Sequence, residues 1–295
     1  MKRFAVLALV LALNPTGLYA QDFSAHWHDG RAELDGYRVT VSRYGQDREG
    51  HAVMIYVTEP FSQSKKVKVD DHTRNPADTF DALKLNLVRD FQTGIYDYNT
   101  MVSVFTRSAD FEPVKITFTS AEWCGHVYSE MIFDKTKVRV QTNSYFEDES
   151  ETRTLPRSAD LVSEDNLFIL LRGLRGHYLQ PGESKTADYL PGVFFSRLTH
   201  TPSGVTKAQI SRRADTERIT VPAGEFDAIV YDVSSGGRSG VFYIESDYPH
   251  RIVRWQLAPD VAGELTGTTR LKYWQLQREG DEQYLKELGL PAAVK

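Results

Sequence analysis

Runs of five to ten residues in which Tyr, Phe, Val, Ile and Thr alternate with polar side chains, broken by Gly, Pro, Asp and Asn, recur from position 37 to position 277. Successive side chains of a strand point to opposite faces, so this pattern predicts antiparallel strands with one buried and one wet face. Tyr37, Val39 and Val41 are all odd-numbered, and Val114, Ile116 and Phe118 are all even-numbered. Val138–Val140 and Ile252–Trp255 read the same way. Further predicted strands are Ala52–Thr58, Leu83–Phe91, Ile95–Phe105, His126–Phe133, Val193–Thr199, Ala208–Ser211, Arg218–Val221, Ala228–Val233, Gly240–Glu245 and Leu271–Gln277. The breaks at 110–113, 134–136 and 235–237 suit hairpin connections. A chain with so many strands is expected to be mainly β, a large curved antiparallel sheet or an incomplete barrel, with one packed helix and a short C-terminal helix.

The packed helix is predicted over 163–175. Ser163 is placed to cap it, Glu164 and Asp165 suit its positive end, and Leu167, Leu170, Leu171 and Leu174 form a stripe at spacings of three and four. Arg172 and Arg175 favour its far end, and Gly176 stops it. A second helix is predicted over Asp281–Leu288, stopped by Gly289 and Pro291. The acidic run Glu147-Asp148-Glu149-Ser150-Glu151 reads as an exposed connection. It lacks the spaced ligands and turn glycine of a calcium loop. The expected organisation is a leader (1–20), an N-terminal β half (21–146), a helix-plus-β half (160–280) continuous with it, and a C-terminal helix and tail (281–295).

The leader reads as a signal peptide. Lys2 and Arg3 precede an uncharged run from Phe4 to Leu13, then a Pro15–Gly17 break and small Ala20 before the expected cut. An apolar run of about ten residues is half of what a spanning helix needs. The mature chain is therefore expected to be periplasmic or secreted, soluble and without a membrane span. Its formal charge moves from −5 to −7 when Lys2 and Arg3 leave, which argues against nucleic-acid partners. Cys124 is the single cysteine, so no internal disulfide supports the core. In an oxidising compartment an exposed lone thiol is a liability, which favours burial of Cys124 over catalysis without fixing it.

Four segments carry a resemblance: Leu167–Arg172, Leu179-Gln180-Pro181-Gly182-Glu183, Ile219–Ala228 with its Val-Pro-Ala-Gly-Glu-Phe-Asp-Ala core, and Tyr248-Pro249-His250-Arg251-Ile252-Val253. From Asn166 to Leu257 the chain resembles a bacterial exported, β-rich family of unknown function. That family is in turn similar to periplasmic proteins in which a curved antiparallel sheet is plugged by helices, some of which carry lipids or lipid-modified proteins. The first half, with Gly30–Leu34 and Gly94–Asn99, resembles other exported proteins of envelope-bearing bacteria. The resemblance implies a fold and no site residues. Read mechanically, Pro222–Gly224 turn the chain between two strands and Tyr248–Arg251 lead a turn into a strand.

The clearest local chemistry lies in Glu122-Trp123-Cys124-Gly125-His126. If extended, Glu122, Cys124 and His126 share a face, and an imidazole beside a thiol makes a nucleophile. His26 and His28 also share a side if extended, which is two ligands toward a metal site that needs three or four. No HExxH, paired CxxC, GxSxG, phosphate loop or dinucleotide fingerprint is present, so no cofactor is expected. Tyr96, Tyr98, Trp123 and Tyr128 belong to an aromatic-rich region suited to an apolar cavity, and Arg172 or Arg175 suits an anionic head group. The expected role is an exported binding or carrier protein for an apolar or amphipathic small molecule. The alternatives are a hydrolase centred on Cys124, His126 and Glu122, and a noncatalytic envelope scaffold.

Overall fold

Eight consecutive strands joined by hairpins form the first part of the sheet in the computed structural model, which describes residues 22–290. The expected leader, its cleavage near Ala20 and the tail from Pro291 lie outside the described residues. The strands are β1 (Ala32–Arg43), β2 (Gln46–Ser62), β3 (Thr79–Thr93), β4 (Tyr96–Arg107), β5 (Pro113–Glu122), β6 (Gly125–Phe133), β7 (Lys137–Ser144) and β8 (Glu151–Pro156). The second part holds β9 (Val162–Ser163), β10 (Ser184–Leu190), β11 (Thr206–Arg212), β12 (Glu217–Val221), β13 (Gly224–Ser235), β14 (Arg238–Glu245), β15 (Ile252–Ala258) and β16 (Val261–Leu271). All sixteen belong to one sheet. Its order is β8 to β1 in sequence, then β16, β15, β14, β13, β11, β10 and β9, with β12 beside the first half of β13. Neighbours are antiparallel except β9 and β10.

The connectivity itself demands curvature. The two edges, β8 and β9, are consecutive in sequence and joined by residues 157–161. Fifteen strands laid flat would span roughly 65 to 70 Å at about 4.8 Å each, whereas that short link reaches at most about 20 Å. The sheet therefore curls until its edges approach, and it remains an open barrel because β8 and β9 do not pair.

Three short helices occupy the concave face: α1 (residues 22–27), α2 (Glu164–Leu170) and α3 (Val193–Thr199). Phe23 and Trp27 of α1, Leu167, Phe168 and Ile169 of α2, and Val193 and Phe194 of α3 are buried with the inward side chains of the sheet in one continuous core. Buried hydroxyls tie the layers. Tyr56 donates to the Phe168 carbonyl at 2.9 Å, Tyr37 to the Ile252 carbonyl at 2.7 Å, and Trp27 Nε1 to Tyr248 Oη at 3.1 Å. On the convex face a smaller cluster of Ala32, Leu34 and Val57 is covered by Leu288. That cover sits directly on the backbone. A Cβ at Gly36 of β1 would collide with the Leu288 carbonyl, and one at Gly267 of β16 with that of Glu287.

Several elements differ from the sequence reading. Val193–Thr199 is helix α3 and not a strand, and Leu271–Gln277 ends its strand at Leu271 and continues as a 3-10 turn over Tyr273–Gln275. The 163–175 helix stops at Leu170, because the chain turns through Gly173 in the left-handed region at φ 63°. Ser163 occupies its N-cap without a side-chain hydrogen bond. Asp281–Leu288 is helical as expected but of the 3-10 type, and Gly289 ends it at φ 65°. The acidic run does not stay a loop throughout, since Glu151 opens β8.

Candidate functional site

The hairpin between β5 and β6 decides the fate of the expected Glu122, Cys124 and His126 constellation. Glu122 pairs with Gly125, so the chain reverses through Trp123 and Cys124 instead of running extended. His126 then stands opposite exposed Ala121, on the convex face, while Glu122 points inward and is buried. Cys124 is exposed at the turn, contrary to the favoured burial. Its amide donates to Tyr96 Oη at 2.8 Å. The thiol, the imidazole and the carboxylate are not brought together.

Other expected site residues also part company. His26 lies in α1, where residues two apart diverge around the helix. Its Nε2 meets Glu33 Oε2 at 3.1 Å, while His28 Nε2 meets Asp81 Oδ2 at 3.0 Å. Among the described residues no group of three or more His, Cys, Asp or Glu is placed to hold a metal. Arg172 is fully buried. Its Nη2 lies 2.6 Å from Glu33 Oε1, it donates to the carbonyls of Pro249 and His250 at 2.9 and 3.1 Å, and its guanidinium stacks on Tyr56. Arg175 donates to the Ser108 carbonyl at 2.5 Å and covers Phe23. Arg172 thus ties the turn that follows α2 to β1 and β2, and Arg175 ties it to the turn after β4 and to α1. Burial pushes the Glu33 carboxyl up, but Arg172 and His26 overcome this and hold it below its ordinary range. Nearby Asp35, also buried, is pushed up to about 8 by burial and by the charge of Glu33.

Tyr98 is buried and stacks on Phe91 at 4.5 Å, Tyr96 is half-buried, Trp123 is exposed, and Tyr128 faces the convex side beside Thr119. The Tyr96, Tyr98 and Trp123 group lies at the opposite end of the strands from Arg172 and Arg175, so the expected aromatic cage with an arginine mouth does not form.

The concave face does hold one polar-mouthed pocket. It lies between the inner faces of β5 to β8 and a roof made by α3 and the 200–203 loop. Its floor is Phe118, Val127, Met131 and Val140, Val193 faces them from the roof, and its mouth carries Glu149, Arg153, Arg197 and His200. Only about 70 Å³ is enclosed. The roof is attached by side chains. Arg197 Nε and Nη2 reach Glu122 Oε1 at 2.7 and 2.6 Å, and Ser120 Oγ donates to the same oxygen at 3.0 Å. Arg43 Nη1 donates to the Leu198 carbonyl at 2.6 Å, and Arg153 donates to the Ser203 carbonyl. His200, in the left-handed region at φ 55°, ends α3 and meets Glu149 Oε1 at 2.5 Å. Burial pushes Glu149 up, but its hydrogen bonds from His200 and Ser144 and the charge of Arg197 win and lower it. At the start of α3 the Val193 amide donates to Asp165 Oδ2 at 3.1 Å. Asp165 is pushed up to about 7 by burial and then by Glu164.

No family model matches the chain, and no curated protein matches it. Solved structures give distant likenesses. A β-barrel-like protein of domain of unknown function DUF1849 from Brucella abortus is 10% identical over 81% of this chain and 98% of its own, with a TM-score of 0.42. A DUF1089 family protein from Pseudomonas aeruginosa is 12% identical over 59% of this chain and 83% of its own, with a TM-score of 0.36. Likenesses of this order give no activity and no ligand.

Arg43, Arg153, Arg197, His200 and Ser203 escaped the sequence reading, and Glu149 entered it only as part of an exposed connection. Arg197 and His200 stand three apart, which on a helix puts them on one face, but the strand reading of 193–199 hid that spacing. Chemically the group is not a hydrolytic one. The Ser196 and Ser203 hydroxyls bond each other, and His200 Nε2 faces Arg43 and Arg197 at 3.5 and 3.4 Å instead of a hydroxyl.

Proposed function

We propose that this chain is an exported, noncatalytic binding protein that takes the apolar end of a small amphipathic molecule into the pocket beneath α3. The observation that carries this reading is the pairing of an apolar floor with a charged mouth under a roof held by side chains and not by strand pairing. Burial of the ligand's apolar end supplies the driving force, at about 25 cal/mol per Å² removed from water. Arg153 and Arg197 at the mouth favour an acidic head group. A pocket of about 70 Å³ is far below the 300 to 1,000 Å³ of common ligand sites, so a longer chain is admitted only as α3 and the 200–203 loop lift.

The test is mass spectrometry of an organic extract of the purified mature protein, with titration of a fluorescent fatty acid. Met131→Trp fills the floor and is expected to abolish both the copurifying species and the titration. A parent protein with neither, or a filled variant that binds as well as the parent, sinks the reading.

A further inference from the structure

The hairpins β1–β2, β3–β4, β5–β6 and β7–β8 all turn at one end of the sheet, because every second connection of a meander lies at the same end. Each of these four turns exposes one large apolar side chain: Tyr44 is 67% exposed, Ile95 78%, Trp123 66% and Tyr145 68%. No other large apolar residue among the described ones is more than half exposed. At about 4.8 Å per strand, neighbouring tips stand about 10 Å apart and the row spans about 30 Å.

The row is built and not frayed. Tyr44 Oη meets Tyr98 Oη at 3.0 Å, the Tyr96 ring lies 5.0 Å from Tyr98 and 6.4 Å from Trp123, and Tyr145 packs where Gly125 leaves no room for a Cβ. Exposed Asp47, Asp97, Glu147 and Asp148 flank the tips, and the basic residues next to them are Arg43, buried over the Tyr44 ring, and half-buried Arg48. A line one residue wide with acidic flanks does not make the packed apolar centre of a protein interface. Tyr and Trp, with an apolar ring and a polar handle, are the side chains that settle at the boundary between water and lipid. Acidic flanks oppose an anionic surface.

We propose that this rim docks the protein on a zwitterionic lipid surface, with Tyr44, Ile95, Trp123 and Tyr145 inserted to the depth of the head groups. The proposal is independent of the pocket reading. Flotation of the mature protein with phosphatidylcholine vesicles tests it. The parent is expected to float, with a blue shift in tryptophan emission that Trp123→Ser removes. The fourfold variant Tyr44→Ser, Ile95→Ser, Trp123→Ser, Tyr145→Ser is expected to lose at least about tenfold in partitioning, since apolar insertion scales with buried area. Trp274→Ser and Met131→Trp are expected to float like the parent, which separates this result from failure of the pocket. Vesicles containing phosphatidylglycerol are expected to bind less. The proposal is overturned if the parent stays in solution, if the fourfold variant floats equally well, or if anionic lipid strengthens binding. Should the fourfold variant not fold, a missing Trp123-dependent shift in the parent is by itself enough to reject it.

Discussion

Arg197 Nη2 lies 2.6 Å from Glu122 Oε1, and both side chains are nearly inaccessible, so one ion pair fastens α3 to the inner face of β5. Removing one partner strands a buried charge. Arg197→Ala is therefore expected to cost about 3 kcal/mol in denaturant unfolding and to speed amide exchange in α3. The double replacement Arg197→Met with Glu122→Leu is expected to recover to within about 1 kcal/mol of the parent. A single variant as stable as the parent would show that the pair does not hold the roof.

Cys124 sits on an exposed turn beside the Tyr96 hydroxyl, with the His126 ring on the convex face. Thiol reagents are expected to label it in the folded protein within about threefold of the rate in denaturant, because access and not unfolding limits the reaction. Cys124→Ser is expected to change stability by less than about 0.5 kcal/mol. A hydrolytic activity that disappears in Cys124→Ser would contradict the structure's separation of Glu122 and His126.

Asp35 gives the stability a pH dependence. Its folded carboxyl is pushed up to about 8, whereas in the unfolded chain it ionises near the ordinary value of about 3.9. The folded state thus holds a proton that the unfolded state releases between these values, and this contribution is present below about pH 4 and lost as pH rises toward 8. Asp35→Asn, which keeps a neutral group beside Thr268, is expected to lose less stability than the parent between pH 5 and pH 8. The difference should be on the order of 4 kcal/mol in urea unfolding at the two pH values. Parallel curves for the two proteins would refute the assignment.

Gly36 and Gly267 let the 3-10 segment Asp281–Leu288 lie on the convex face. Gly267→Val is expected to lift that segment, exposing Leu34 and Leu288 and making the 273–290 region the first site of limited proteolysis. Unchanged cleavage kinetics would mean that the segment finds another seat.

The sheet was legible because antiparallel strands with one wet face write their alternation into the chain, as Tyr37–Val41 and Val114–Phe118 do. Elements set by distant partners were not. Val193-Phe194-Phe195 has strand-like composition, yet its first amide is captured by Asp165 from another part of the chain, and tertiary context overrides propensity. β16 was hidden by its glycines, which answer to neighbours and not to local sequence: a Cβ at Gly263 would run into the Trp255 indole. The Glu122, Cys124 and His126 reading failed on one turn, since a two-residue reversal sends residues that share a face when extended to opposite faces. Arg172 was visible as a charge on a helix, but its burial against Glu33 depends on β1, far away in sequence.

The pairing of β1 with β16 also orders the folding of the chain. Strands β1 to β7 each pair with the strand that follows, so that half can zip locally as it is synthesised. The other edge of β1 has no partner until nearly the whole polypeptide has appeared, and closing so long a loop is slow. Until then β1 offers an unpaired edge of twelve residues, the kind of surface on which chains associate wrongly. Joining first strand to last makes the finished sheet a check on its own completeness: a chain truncated before Val261 leaves that edge open.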